Sequence, residues 1–144
     1  MFVNEPQVVV YAATKASNIE VIVVDTQDKL NDLAKELGKA SIISFDTETT
    51  STEEMQAEIV GISLAVKAGQ AYYIPIGHTS GDNLPIEKVI AAITPSMTDA
   101  KIGKIAHNAK YDYIILAKAG LYVTPLTFDT MLAEFIIDPS SRHL

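Results

Sequence analysis

Apolar positions recur along this chain with two different periods, and the switches between them predict its elements. Residues 19–25 (IEVIVVD) are β-branched and apolar and read as a strand. Thr26 then stands as an N-cap candidate, and Leu30, Leu33, Ala34 and Leu37 recur at helical spacing until Gly38. That spacing predicts a helix over 27–37. The next apolar run enters through Ile42 and Ile43 and closes on Phe45-Asp46-Thr47-Glu48, so an extended backbone is expected over 42–48. Residues 49–56 are polar and read as a turn. Residues 57–67 and 70–76 are two strands joined through Ala68-Gly69, an expected antiparallel hairpin beside the first strands. Residues 77–83 form a loop. Pro85 opens a helix whose stripe is Ile86, Val89, Ile90 and Ile93, and Thr94-Pro95 is expected to end it.

The second half alternates. A short strand is expected over 102–107, and Asn108 caps a helix over 109–119 that Gly120 stops. An extended connection follows over 121–127. A last helix over 130–137 is stopped by Asp138-Pro139. Residues 1–18 show no period and read as a linker or leading arm. Strands that come first as a meander and then alternate with helices imply an α/β fold, a mixed sheet with flanking helices, in one domain over 19–144.

Composition narrows the function. The 144 residues are 48% apolar and 20% charged, an ordinary globular balance. A net charge of −7 argues against a domain that grips duplex DNA through a basic surface. It leaves nucleic acid open if metal ions meet the phosphates, because they bring their own positive charge. Without cysteine there is no disulfide framework and no thiolate metal site. No apolar run approaches 18 residues, so no membrane span is expected. The apolar stretch from Val8 to Ala13 lacks a basic leader before it, so no signal peptide is read, and the absence of cysteine is compatible with a cytosolic protein.

The chemistry gathers at two stretches. Asp and Glu are depleted in strands, so their place at the end of an apolar run calls for a reason. On an extended backbone Asp46 and Glu48 point to the same face. They repel there unless a cation sits between them, and a divalent metal with its demand for hard oxygen ligands fits that gap. The plain alternative is a strand end with two solvated acids. The second stretch is His107-Asn108-Ala109-Lys110-Tyr111-Asp112. Ile115, Leu116 and Ala119 lie at i+3, i+4 and i+7 from Asp112, which puts this acid on the inward stripe, where it needs a partner. An acid favoured by the helix N-terminus is the alternative, and it suits an exposed acid better than an inward one.

Taken together, these stretches resemble a specific family. Phe45-Asp46-Thr47-Glu48-Thr49 is similar to the first motif of the DEDD (DnaQ-like) 3′–5′ exonucleases, and His107 to Asp112 to their second. The resemblance extends to Ile59-Val60-Gly61-Ile62-Ser63, Ala71-Tyr72-Tyr73-Ile74-Pro75-Ile76 and Phe128-Asp129-Thr130-Met131-Leu132, in the same order as in the proofreading domain of bacterial family A DNA polymerases. It implies a ribonuclease H-like fold. It also implies two divalent cations, Mg2+ or Mn2+, about 3.5–4 Å apart on the scissile phosphate. Asp46 and Glu48 would bind one ion, and Asp46 with Asp112 the other. Asn108, His107, Tyr111 and Thr47 match positions near the terminal nucleotides of a single-stranded 3′ end of DNA, and a polymerase domain is expected C-terminally in the parent protein. Asn108 also reads as a plain N-cap, and Tyr111 as core.

The match has gaps. The family's fourth carboxylate, in a Tyr-x-x-x-Asp or His-x-x-x-Asp motif, is expected downstream of residue 144, which implies a C-terminally truncated domain with weak activity by itself. His78-Thr79-Ser80-Gly81-Asp82 fits that pattern by chance, in a loop between the first two motifs. Asp129 reads as the N-cap of the last helix. Thr52 stands where many relatives place an apolar wedge. Intact Asp46, Glu48 and Asp112 argue against a catalytically silent structural module, while a relative that trims RNA ends shares the first two motifs.

Overall fold

The structure, a computed structural model, describes residues 19–140; the arm expected over 1–18 lies outside them. The elements are β1 (Glu20–Val23), α1 (Gln27–Leu37), β2 (Ile42–Thr49), β3 (Ile59–Lys67), β4 (Gln70–Pro75), α2 (Ile86–Met97), β5 (Gly103–Ala106), α3 (Ala109–Lys118), β6 (Leu126–Asp129) and α4 (Thr130–Ile137). The six strands make one mixed sheet in the order β1-β4-β3-β2-β5-β6. The β2–β3 and β3–β4 pairs are antiparallel, and β1–β4, β2–β5 and β5–β6 are parallel. The expected hairpin is β3–β4, with its turn at Gly69, whose φ of 78° suits glycine.

Period-two alternation sorts the sheet into two faces. Ile43, Phe45, Ile62, Leu64, Tyr72 and Ile74 are buried and join Leu30, Leu33 and Leu37 of α1 and Val89, Ile93 and Met97 of α2 in one core. Each such side chain removed from water contributes about 1.5–3 kcal/mol. Helix α1 has the predicted bounds, with Thr26 accepting from the Lys29 N–H. The opposite face of β2 carries Ser44, Asp46 and Glu48, paired across β3 with Ala65, Ser63 and Gly61.

Three expectations need correction. Thr94-Pro95 does not end α2, which runs on to Met97. Proline lacks the N–H that would bond Ala91, but Thr94 Oγ1 donates to Ile90 O, and the Thr98 N–H and hydroxyl both donate to Thr94 O. Burial of Ser96 and Met97 holds this last turn against the sheet. The fully buried Lys104 of β5 closes it, its Nζ donating to Ser96 O at 3.3 Å and Asp99 O at 2.8 Å. Residues 121–127 are not wholly a connection, because from Leu126 the chain pairs with β5 as a sixth strand. Asn108 precedes α3 but its side chain caps nothing. It adopts the left-handed conformation, φ 55° and ψ 49°, which asparagine tolerates better than most residues.

Candidate active site

The site grows from the tip of β2. Parallel pairing with β5 covers only Ile42 to Ser44, so beyond Ser44 that edge of β2 is open. On the exposed face Asp46 and Glu48 alternate with the buried Phe45 and Thr47. The two acids therefore share one face, as expected. At the open edge, Asp112 of α3 takes up the free backbone group: its Oδ1 accepts the Thr47 N–H at 2.8 Å and the Thr47 hydroxyl at 2.6 Å. Asp112 is 2% exposed, so its inward position is real and its partner is Thr47. The Thr47 side chain is 7% exposed, and its hydroxyl fastens Asp112 beneath the two outward acids.

Charge accumulates here without a cation. Burial pushes the Asp46 carboxyl up, the Glu48 charge adds to this, and His107 opposes it. Burial also pushes Asp112 up, against the two bonds from Thr47, and the Asp46 charge adds to the rise. Among the described residues the ion pairs are Lys29–Asp25, Lys35–Asp32 and Lys39–Glu36, all on or beside α1, and none reaches these acids. The donor set is thus oxygen-only and electron-rich, which suits a hard divalent ion. As the side chains stand, no three His, Asp or Glu groups among the described residues enclose a metal-sized space. The residues present fit such an ion by their oxygen-donor chemistry.

The second motif surrounds this tip. His107 is exposed, within range of Asp46, with Nδ1 2.9 Å from the Thr130 hydroxyl. Asn108 and Ala109 donate their backbone N–H groups to Asp129, at 3.1 and 2.8 Å. The same carboxylate accepts from Met131 N and Leu132 N. Asp129 is the N-cap of α4, and it also receives the N-terminus of α3. Tyr111 is half-buried, and its hydroxyl is already engaged by Ser51 O and Thr49 Oγ1. It ties α3 to the loop after β2, so its ring, not its hydroxyl, is what remains for a ligand.

Sequence reasoning missed other parts. Lys118 Nζ donates to the carbonyls of Glu54, Met55 and Ala57, pinning the same loop from the far end of α3. Nothing in the string marks a lysine as a loop anchor. Tyr73 lies on the same sheet face as Glu48, with its hydroxyl 2.6 Å from His78 Nε2. A hollow of about 490 Å3 lined by Lys110, Tyr113, Leu126, Phe128, Asp129 and Leu132 lies between α3 and the β6–α4 unit. It is lined by none of the three site acids, and its one carboxylate, Asp129, is engaged by four backbone N–H groups.

Comparison with known proteins shows the family. A family model described as 3′-5′ exonuclease matches residues 21–144. DNA polymerase I of Chloroflexus aurantiacus is 41% identical over 117 residues, which cover 81% of this chain and 12% of that protein. DNA polymerase I of Pseudomonas aeruginosa is 39% identical over 115 residues, 76% of this chain and 13% of that protein. The chain therefore spans about one eighth of the length of these relatives. Among solved structures, the catalytic core of RRP6 from Trypanosoma brucei superposes with a TM-score of 0.66 at 24% identity, covering 83% of this chain and 31% of that one. Brucella melitensis NrnC with bound Mg2+ gives 0.61 at 20% identity, covering 88% and 56%. Escherichia coli RNase D gives 0.60 at 24% identity, covering 82% and 29%. These structures share the fold, which is ribonuclease H-like. With the outward Asp46 and Glu48, the buried Asp112 and a family match over residues 21–144, this chain belongs to the 3′–5′ exonuclease family, in the form carried by DNA polymerase I.

Proposed function

We propose that the chain hydrolyses the 3′-terminal nucleotide of single-stranded or frayed DNA, as the proofreading part of a DNA polymerase I. The observation that carries this reading is the β2 tip: two outward carboxylates over a third, buried one, with no cation among them. Asp46, Glu48 and Asp112 are the groups to hold two divalent cations, Mg2+ or Mn2+. Such ions, when bound, supply Lewis-acid polarisation and counter-charge for the phosphate.

The chain's own residues do the rest by holding position. Thr47 fixes Asp112 through two hydrogen bonds, so this acid does not turn away from the strand tip. Asp129 fixes the start of α3, which carries His107 and Asn108 at its mouth. Both are accessible and can meet the terminal nucleotide, and the Tyr111 ring can stack on a base. Frayed ends are preferred because a mispaired terminus unpairs at lower cost. The relatives' length supports a polymerase domain elsewhere in the parent protein.

The test is release of mononucleotides from a 3′-labelled single-stranded DNA oligonucleotide with manganese. It compares the chain, its Asp46→Ala variant, and the same pair within a protein of full polymerase length. The expected result is slow release by the chain, faster release by the longer protein, and none from either variant. No release from any of the four, or release that survives Asp46→Ala, would overturn the reading. An RNA oligonucleotide of the same sequence, if degraded faster, would move the substrate to RNA.

A further inference from the structure

Glu48 faces a glycine across the sheet, and that glycine is occupied from above. Gly61 is the register partner of Glu48 on β3. A Cβ at Gly61 would overlap the hydroxyl oxygen, Cζ and Cε2 of Tyr73. The phenol end of Tyr73 therefore lies directly on Gly61, in the space a side chain would fill. Directly opposite residues of an antiparallel pair stand about 4.5–5.5 Å apart. The Tyr73 hydroxyl is thus set within one side-chain length of the Glu48 carboxylate.

The hydroxyl is also held from behind. Tyr73 Oη is 2.6 Å from His78 Nε2, and the two rings meet edge-on with centroids 5.7 Å apart. His78 is fixed in turn by Asn83, which accepts its N–H and donates to its carbonyl, both at 2.9 Å. Burial, and then the Glu48 charge, push the Tyr73 phenol up, so it keeps its proton at neutral pH. Among the described residues the Glu48 carboxylate accepts no hydrogen bond.

From this juxtaposition we infer that Tyr73 is a positioning residue for Glu48: when a divalent ion takes one carboxylate oxygen, the Tyr73 hydroxyl, held by His78, is placed to donate to the other. The inference rests on the reading of Glu48 as a metal ligand. It requires His78 Nε2 to carry the proton and donate to Tyr73 Oη, which frees the tyrosine proton for Glu48. Gly61 belongs to the same device, since any larger residue would lift the phenol away.

The test is Mn2+ binding to the protein, measured by calorimetry, with melting temperature in EDTA recorded for each variant. Tyr73→Phe keeps the ring and removes the donor. It should bind Mn2+ about tenfold more weakly, the loss typical when a group orienting a ligand is removed. Its melting temperature in EDTA should match wild type. His78→Gln retains an N–H donor and should bind Mn2+ within about twofold of wild type, while His78→Leu should resemble Tyr73→Phe. Equal affinity in Tyr73→Phe and wild type would overturn this inference and leave the metal reading intact. Absence of Mn2+ binding by wild type would overturn both, and Asp46→Ala identifies that case by behaving the same.

Discussion

At the scale of single residues, the Thr47–Asp112 pair decides whether a buried acid is tolerated. Oδ1 of Asp112 receives two donors from one residue, the strongest anchor the structure gives any of the three acids. Thr47→Val keeps the shape and removes the hydroxyl. It should destabilise by about 1.5–3 kcal/mol, the usual worth of a hydrogen bond to a charged group, measured by urea denaturation at neutral pH. Asp112→Asn tests the charge separately. The folded carboxyl is pushed up by burial and by Asp46, so the native state holds this proton more tightly than the unfolded chain. Stability then falls as pH rises through the ordinary carboxylate range, because the ionised form is the disfavoured one. The asparagine oxygen still accepts from Thr47. The variant should therefore melt no lower than wild type in EDTA at pH 7, and lose its response to divalent ions. The sequence carried half of this. The helical stripe through Ile115, Leu116 and Ala119 put Asp112 inward and demanded a partner. It could not name Thr47, 65 residues away, because that pairing depends on where β5 stops covering β2.

At the scale of elements, Asp129 joins two helices. Its carboxylate accepts from Asn108 and Ala109 at the start of α3 and from Met131 and Leu132 at the start of α4. Local spacing made it an N-cap for α4, since Asp precedes the helix directly. Its service to α3 follows from the β5–β6 register, which sets Asp129 beside Ala106, and no local pattern encodes that register. Asn108 shows the converse. It occupied the expected position, but a φ of 55° swings its side chain out of capping geometry, and Asp129 supplies the acceptor. Asp129→Ala removes both caps and should cost about 2 kcal/mol, twice the usual value of one cap. The acid limb offers a second measure. Burial raises the Asp129 carboxyl, but its four backbone N–H partners outweigh that and hold it below the usual range. Its stabilisation is fully present above the unfolded carboxylate pKa and is lost as pH falls through the lower, folded value. Urea midpoints taken from pH 7 downward should fall less steeply at the acid end in Asp129→Asn than in wild type.

At the scale of the whole molecule, the mixed sheet, its element order apart from β6 and the shared face of Asp46 and Glu48 were legible because alternation and helical spacing are local. The open edge of β2, the Tyr73–Gly61–Glu48 stack and the loop anchor Lys118 were not, because each joins residues that meet only after the strands are ordered β1-β4-β3-β2-β5-β6. The assembled molecule concentrates uncompensated negative charge at one strand tip, in a chain whose net charge is already −7. A polyanion such as DNA has no electrostatic reason to approach that tip unless divalent ions arrive first. Two linked outcomes follow. In EDTA the chain should show no measurable affinity for a single-stranded oligonucleotide by fluorescence anisotropy. With magnesium the tip should gain stability by mass action, about 1.4 kcal/mol at ten times the dissociation constant. The melting temperature should rise accordingly, and the Asp46→Ala variant should show neither response. Oligonucleotide binding that persists in EDTA would place the DNA on a surface other than the carboxylate tip. Calcium serves as a control for ion chemistry: it brings the same charge with looser and longer oxygen coordination. If calcium matches magnesium in the melting shift yet supports no hydrolysis, the tip binds ions by charge and selects among them by the fit of its three acids.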